Sequence, residues 1–351
     1  MKERNSNIEA LRIISTIMVL GLHYLNPNIG GALGTSNTIN YVLCNAFESL
    51  CIISVNVFVI ITGYFSCETK KMKLRKIIEL YLILEFYNFA FYFVSILLNY
   101  NSFSIMEILC ILGAFFVGKG WFIETYILLM LFVPFINVLI NHLNKKQMLL
   151  LIVIYLIVFS VWESFLPSPP MTDGGYGILH FVSLYLLGAY IKKHVEISFD
   201  TKLKTRSLIA LLMFVLFTFI SCFVLHIKDR AWNYCYISNV FAAAALFIVF
   251  ACSKDRHNRI INWASKSSFG ILIFHASPYI QPLIYDKAMH VTWAREQPTF
   301  VILFLLSIIA QYLVCLLIDS IRQVIWKYTI NHIADNRATK SIETRINSII
   351  E

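Results

Sequence analysis

Apolar residues in this chain come in long runs rather than in alternation, and the runs recur from residue 8 to beyond 315 with short polar breaks between them. Each run is close to the roughly 17–25 residues that a helix needs to cross the hydrocarbon of a bilayer. The pattern predicts helices over about 8–26, 41–65, 77–99, 121–140, 148–166, 177–191, 207–226, 237–252, 268–286 and 299–320. The segment 104–117, SIMEILCILGAFFV, is too short for a span and suits an interfacial or re-entrant element. Beyond about residue 321 the chain turns polar and predicts a short helical tail.

Composition agrees with this solvent. Of 351 residues 58% are hydrophobic and 14% charged, where soluble domains carry about 25% charged, and a mean hydropathy of +0.71 excludes a water-soluble fold. The expected class is an all-α polytopic protein of the cell membrane. Lys and Arg number 29 against 20 Asp and Glu, and they cluster between spans, so the formal charge of +9 reports topology rather than nucleic-acid binding. With the N-terminus inside, Lys2 and Arg4, the Lys70–Lys76 run, Lys145 and Lys146, Lys192 to Arg206, Lys254 to Lys266 and the tail all fall on the cytoplasmic side. Only Lys119, Lys228, Arg230, Lys287 and Arg295 remain outside. Counting 104–117 as a span would invert everything after it. The expectation is therefore about ten transmembrane helices with both termini cytoplasmic, residues 1–325 forming the membrane domain and 326–351 a short tail. Arg12 and His23 lie inside the first apolar stretch and no small-residue cleavage site follows it, so that stretch is expected to stay as a span. The eight cysteines show no CxxC and no Cys/His clustering; they read as buried small residues, and no metal site is expected.

Ionisable groups within a bilayer are costly and mark function unless they are paired structurally. Arg12 and His23 stand eleven residues apart on the first span, which leaves them about 20° from alignment and roughly 16 Å apart along one helix face. Arg12 either serves a ligand near the inner side or snorkels to headgroups; His23 either does chemistry near the outer side or bonds a neighbour. Glu48 and Glu124 fall at a depth comparable with His23, where either would orient the imidazole or simply bond another helix. Asn56 and Thr62 lie deeper and read as helix–helix contacts, and Gly63 permits a close approach of either a ligand or another helix. His275 lies too deep for an ordinary interface histidine; His180 and His226 have less to recommend them. The loop LPSPPMTDGGYG at 166–177 reads as a turn or as a cover over a groove.

The segment NIEALRIISTIMVLGLHY resembles the opening of the membrane-bound acyltransferase-3 family, whose first helix carries Arg, ten residues, then His. Further segments follow in family order. VNVFVIITGYF (55–65) is similar to the family's second helix, with Thr62 in place of the usual Ser, and KLRKIIELY (73–81) resembles its basic entry to the third helix. WFIETYILLMLFVPF (121–135), YLLGAYI (185–191) and SSFGILIFH (267–275) resemble later helices. The resemblance implies transfer of an acyl group, usually acetyl, from cytoplasmic acetyl-CoA as substrate to a hydroxyl of an extracytoplasmic or lipid-linked glycan, with no permanently bound cofactor. It also implies a stand-alone member without the frequent soluble C-terminal domain. His suits the general-base role because its ordinary pKa of about 6.5 lets it take and return a proton near neutrality. In these terms His23 is the expected base, Arg12 a donor-binding group, and Glu124 or Glu48 an orienting carboxylate. Arg75, Lys76 and His275 are candidates for donor contacts, and Trp121 and Tyr126 for lining an acceptor path. Lys192 and Lys193 can meet CoA phosphates or anionic lipid, and Glu79 and Glu85 pair with basic groups. No GxSxG-like motif supports a serine route. A transporter or flippase also suits ten helices with buried charges, but no related halves are visible; a glycan polymerase would need a large outer loop, and none is predicted.

Overall fold

The computed structural model describes residues 5–113, 120–166, 173–329 and 336–350. Among them the regular elements are helical, and seven helices are long and apolar enough to cross a membrane: Ser6–Leu25, Thr38–Ser66, Leu74–Leu97, Trp121–His142, Lys145–Phe165, Thr201–Phe223 and Phe300–Tyr328. Two further predicted spans are shorter helices, Ile178–His194 with 17 residues and Ile237–Ala251 with 15. The predicted 268–286 span is broken: Ser268–Ala276 ends before Ser277 and Pro278, and a π-helical turn follows over Pro282–Ala288. Proline supplies no N–H and restricts the residue before it, which stops the helix there.

The chain divides into two compact units, each built from three separate segments. The first comprises Met1–Leu22, Tyr41–Thr69 and Phe135–Lys266. Its helices are the first part of α1 (Ser6–Leu25), most of α2 (Thr38–Cys51), α3 (Ser54–Ser66), the end of α6 (Trp121–His142), α7 (Lys145–Leu156), α8 (Ile178–His194), α9 (Thr201–Phe223) and α10 (Ile237–Ala251). Small residues fix its core. A Cβ on Gly63 would lie 2.2 Å from the carbonyl oxygen of Tyr185, and one on Gly188 would lie 2.2 Å from that of Ile60. Helices α3 and α8 thus touch backbone to backbone through two glycines, as small residues allow in membranes, and Gly63 serves packing. Ala242 to Ala245, four in succession and all buried, show that α10 is enclosed around its whole circumference there, and toward α9 the Thr218 hydroxyl donates to Asn239 Oδ1 (2.9 Å). Asn56 satisfies a neighbour as expected: its Nδ2 donates to the Tyr234 carbonyl (2.8 Å) and its Oδ1 faces His180 Nε2 at 3.0 Å. Asn137 ties α6 to the end of α3 by donating to the carbonyls of Ser66 and Thr69, both at 2.7 Å.

The second unit comprises His23–Asn40, Lys70–Pro134 and Ser267–Glu351. It contains α4 (Leu74–Leu97), α5 (Ile105–Leu112), α11 (Ser268–Ala276), α12 (Phe300–Tyr328) and α13 (Arg337–Ile350). Ser104 caps α5 by accepting the Glu107 N–H, and Ile105, Met106, Leu109 and Leu112 are exposed, which suits the interfacial element predicted there. Residues 114–117 of that prediction, and 167–172 of the loop at 166–177, lie outside the described residues. A buried ion pair holds α12: Arg322 Nε donates to Asp319 Oδ1 (2.7 Å), which also accepts the Tyr87 hydroxyl (2.8 Å), while Gln323 donates to Asp319 Oδ2 (2.8 Å). Gly270 leaves room for that carboxylate, since a Cβ there would meet it at 1.9 Å. At the other end, Glu296 receives the hydroxyl of Ser36 (2.8 Å) and of Thr35 (3.1 Å) and the Ser36 N–H (3.1 Å). The Ser36 hydroxyl leads the interactions that hold the Glu296 carboxyl down to about 2.

Candidate active site

The N-terminal end of α1 is held by the 253–262 segment of the first unit. Asn258 donates its N–H to Ser6 Oγ (2.7 Å), Asn5 donates to Asp255 (2.5 Å), and Asn7 donates to the carbonyls of Ser253 and Lys254. One turn further on, Arg12 Nη1 bonds the buried carboxylate of Glu9 at 2.5 Å, and its guanidinium lies 6.0 Å from the centre of the Phe65 ring. A guanidinium held on one side by a carboxylate and on another by a ring is fixed in direction while its remaining N–H groups stay available.

Arg12 lines a cavity of about 720 Å³ together with Glu9, Tyr64, Phe65, Glu68, Lys192, Asp255 and His257. Lys192 Nζ lies 5.1 Å over the Tyr64 ring. A neighbouring cavity of about 460 Å³, bounded by Ser198, Phe199, Ser253 and Lys254, shares Ala251 and Asp255 with the first. The larger is within the range of small-molecule sites, roughly 300–1,000 Å³, and its wall mixes Arg12, Lys192 and His257 with the carboxylates of Glu9, Glu68 and Asp255 and with the rings of Tyr64 and Phe65. It can receive a ligand that carries both anionic and flat apolar parts. Glu9 is absent from the sequence-based candidates, although its i, i+3 spacing to Arg12 was a usable signal.

In the second unit, His23 and His275 bring their rings to 4.5 Å between centroids, tilted by 52°. His275 is the penultimate residue of α11, at the helix end rather than midway along a continuous span. Its Nδ1 lies 2.7 Å from the Ile271 carbonyl, so the proton sits on Nδ1 and Nε2 carries a lone pair. That Nε2 and the Nδ1 of His23 are both buried and have no hydrogen-bond partner. Two imidazoles at this distance resist holding a proton each, because like charges repel strongly away from water. The pair can take up one proton from a hydroxyl and return it.

The remaining candidates have contacts of their own. Glu124 Oε1 accepts the Gly120 N–H (2.7 Å) and closes the first turn of α6. Trp121 and Tyr126 belong to a row of rings: Trp121 to Phe122 at 5.9 Å, Phe122 to Tyr126 at 5.9 Å, and Tyr126 to Phe269 of α11 at 5.7 Å. Glu48 is buried in the first unit within electrostatic reach of Tyr176 and Tyr234, with its Oε2 unbonded. Arg75 and Lys76 are exposed at the start of α4, where the Arg75 N–H donates to Glu343 of α13 (3.1 Å). All eight cysteines are free, and seven are buried. Among the described residues no group of three His, Cys, Asp or Glu side chains is arranged to hold a metal.

A family model described as an acyltransferase domain, acyltransferase 3, matches residues 5–319. No curated protein and no solved structure matches the chain.

Proposed function

Because the chain belongs to the membrane acyltransferase-3 family, we propose that this membrane acyltransferase moves an acyl group, most simply acetyl, from cytoplasmic acyl-CoA to a hydroxyl of an extracytoplasmic or lipid-linked glycan. The observation that carries the reading is the buried histidine pair, whose unbonded ring nitrogens are suited to a substrate hydroxyl. His23 accepts the hydroxyl proton as the oxygen attacks the thioester carbonyl. The carbon–sulfur bond then breaks, and the proton passes to the departing thiolate, so that an ester and free CoA result. His275, with its tautomer fixed by Ile271, presents the lone pair of its Nε2 next to His23. Arg12, Lys192 and His257 suit the phosphates of the donor, and Tyr64 and Phe65 its flat and apolar parts. The helix α1 supplies both Arg12 and His23. The aromatic row from Trp121 to Phe269 suits a sugar ring in the acceptor.

The test is release of free CoA from acetyl-CoA by inverted membrane vesicles supplied with envelope glycan lipids of the native host. Wild type should release CoA and place label on glycan as a base-labile ester, and His23→Ala should do neither while remaining inserted. Absence of release by folded wild type would sink the acyl-CoA reading, and vectorial sugar movement without a donor would favour transport.

A further inference from the structure

The C-terminal helix α13 does not sit on the protein as a helix facing water would. Polar groups tie it to the rest of the second unit: Asn347 accepts the Met72 N–H (2.7 Å) and donates back to the Met72 carbonyl (3.2 Å), and Glu343 accepts the Arg75 N–H (3.1 Å), while Ile346 and Ile350 are half-buried. Thr339 and Asn347 are its buried residues. Its apolar residues follow one face at i, i+4, i+8, i+11 and i+12, namely Ala338, Ile342, Ile346, Ile349 and Ile350. Of these Ile342 is 50% and Ile349 84% exposed. The other side is polar, with Arg337, Ser341, Thr344, Arg345 and Ser348 all exposed. A helix tied to the protein by polar groups, with Ile342 and Ile349 turned outward, presents an apolar strip that an apolar phase would cover.

Charge identifies that phase. The segment next to α13 carries Lys70, Lys71, Lys73, Arg75 and Lys76, all exposed, and α13 adds Arg337, Lys340 and Arg345. Glu343 is the single acidic residue in the two segments. A second copy of the chain would bring the same basic surface against itself. A bilayer with anionic headgroups matches both features, accepting the isoleucines below the headgroups and the cations among them.

We propose that α13 is an interfacial helix that, together with the Lys70–Lys76 segment, binds anionic phospholipid headgroups. In this arrangement the Asn347 and Glu343 bonds fix the helix against the entry to α4, while Ile342 and Ile349 enter the acyl boundary. The inference stands apart from acyl transfer and is tested without an activity assay.

The experiment is hydrogen exchange followed by mass spectrometry on the full chain, reconstituted in phosphatidylcholine vesicles with or without phosphatidylglycerol. Phosphatidylglycerol should slow exchange over 337–350 by about thirtyfold to a hundred-and-fiftyfold, the effect of two or three cations at an anionic surface, and high salt should reverse it. The double variant Ile342→Ser/Ile349→Ser should lose the lipid effect while α4 peptides exchange as in wild type. Equal exchange in both vesicle types would overturn the proposal, because the protein alone would then hold the helix. Slowing by acetyl-CoA in phosphatidylcholine, without a response to phosphatidylglycerol, would reassign the cations to the donor's phosphates. Slowing that tracks protein density in the vesicles would reassign the face to a second copy.

Discussion

Replacing Gly188 by Ala tests how the helix contact of the first unit bears on ligand binding. The new Cβ would lie 2.2 Å from the Ile60 carbonyl oxygen and 2.9 Å from the Tyr64 nitrogen, and contacts under 3.0 Å are essentially never seen. Both obstacles are backbone, so no rotamer change relieves them and α3 must move away from α8 by roughly 1 Å. Overpacking of this kind costs about 1–3 kcal/mol, a factor of roughly 5 to 150 in the ratio of folded to unfolded protein. The displaced turn carries Tyr64 and Phe65, which line the Arg12 cavity and meet Lys192 and Arg12. Thermal unfolding in detergent should therefore show a lower Tm, and steady-state kinetics a raised KM for acyl-CoA with little change in the KM for acceptor. Gly63→Ala should behave alike, because its Cβ meets the Tyr185 carbonyl at the same distance. A Gly188→Ala protein with wild-type Tm and wild-type donor KM would refute the argument, since it would mean that the two helices are not in backbone contact.

Arg12→Ala should raise the KM for acyl-CoA by roughly tenfold to a hundredfold, the loss of a hydrogen bond to a charged group, with kcat little changed; an unaltered donor affinity would return Arg12 to a purely structural task. Asp319→Ala strands the buried Arg322 and removes the acceptor of Tyr87 and Gln323. It should cost about 3–5 kcal/mol in reversible unfolding, whereas the double change Asp319→Leu/Arg322→Met should cost less; the opposite order would show that the pair is not desolvated. Because the Glu296 carboxyl is held down to about 2 in the folded protein against its usual 4.5, its tie to Thr35 and Ser36 is complete above about pH 4.5 and lost as pH falls toward 2. Protection of the Ser36 amide, corrected for intrinsic exchange, should fall across that window, and a flat profile would discount the tie.

The long apolar runs made most of the helices legible, because hydropathy and length settle a span with little help from tertiary contacts. What stayed hidden depended on partners distant in sequence. His275 was visible as a buried histidine, yet its meeting with His23 joins the first helix to the eleventh, and no local pattern records that. The break after Ala276 was announced by Pro278 and Pro282, and the run of apolar residues around them concealed it. Gly63 left ligand and helix equally open until Gly188 supplied its counterpart. Glu9 was readable from its spacing to Arg12 but lay close to the polar start of the chain, where a carboxylate looks ordinary.

The division of the chain also sets an order of assembly during synthesis. Each unit draws on three separated segments, and the boundaries fall within α1 at Leu22 and within α6 beside Pro134. The first unit has all its segments once Lys266 has emerged, whereas His23 waits in the nascent chain until the stretch from Ser267 onward has followed. A ribosome that stops before His275 therefore leaves the first unit with all its segments while His23 still has no second ring.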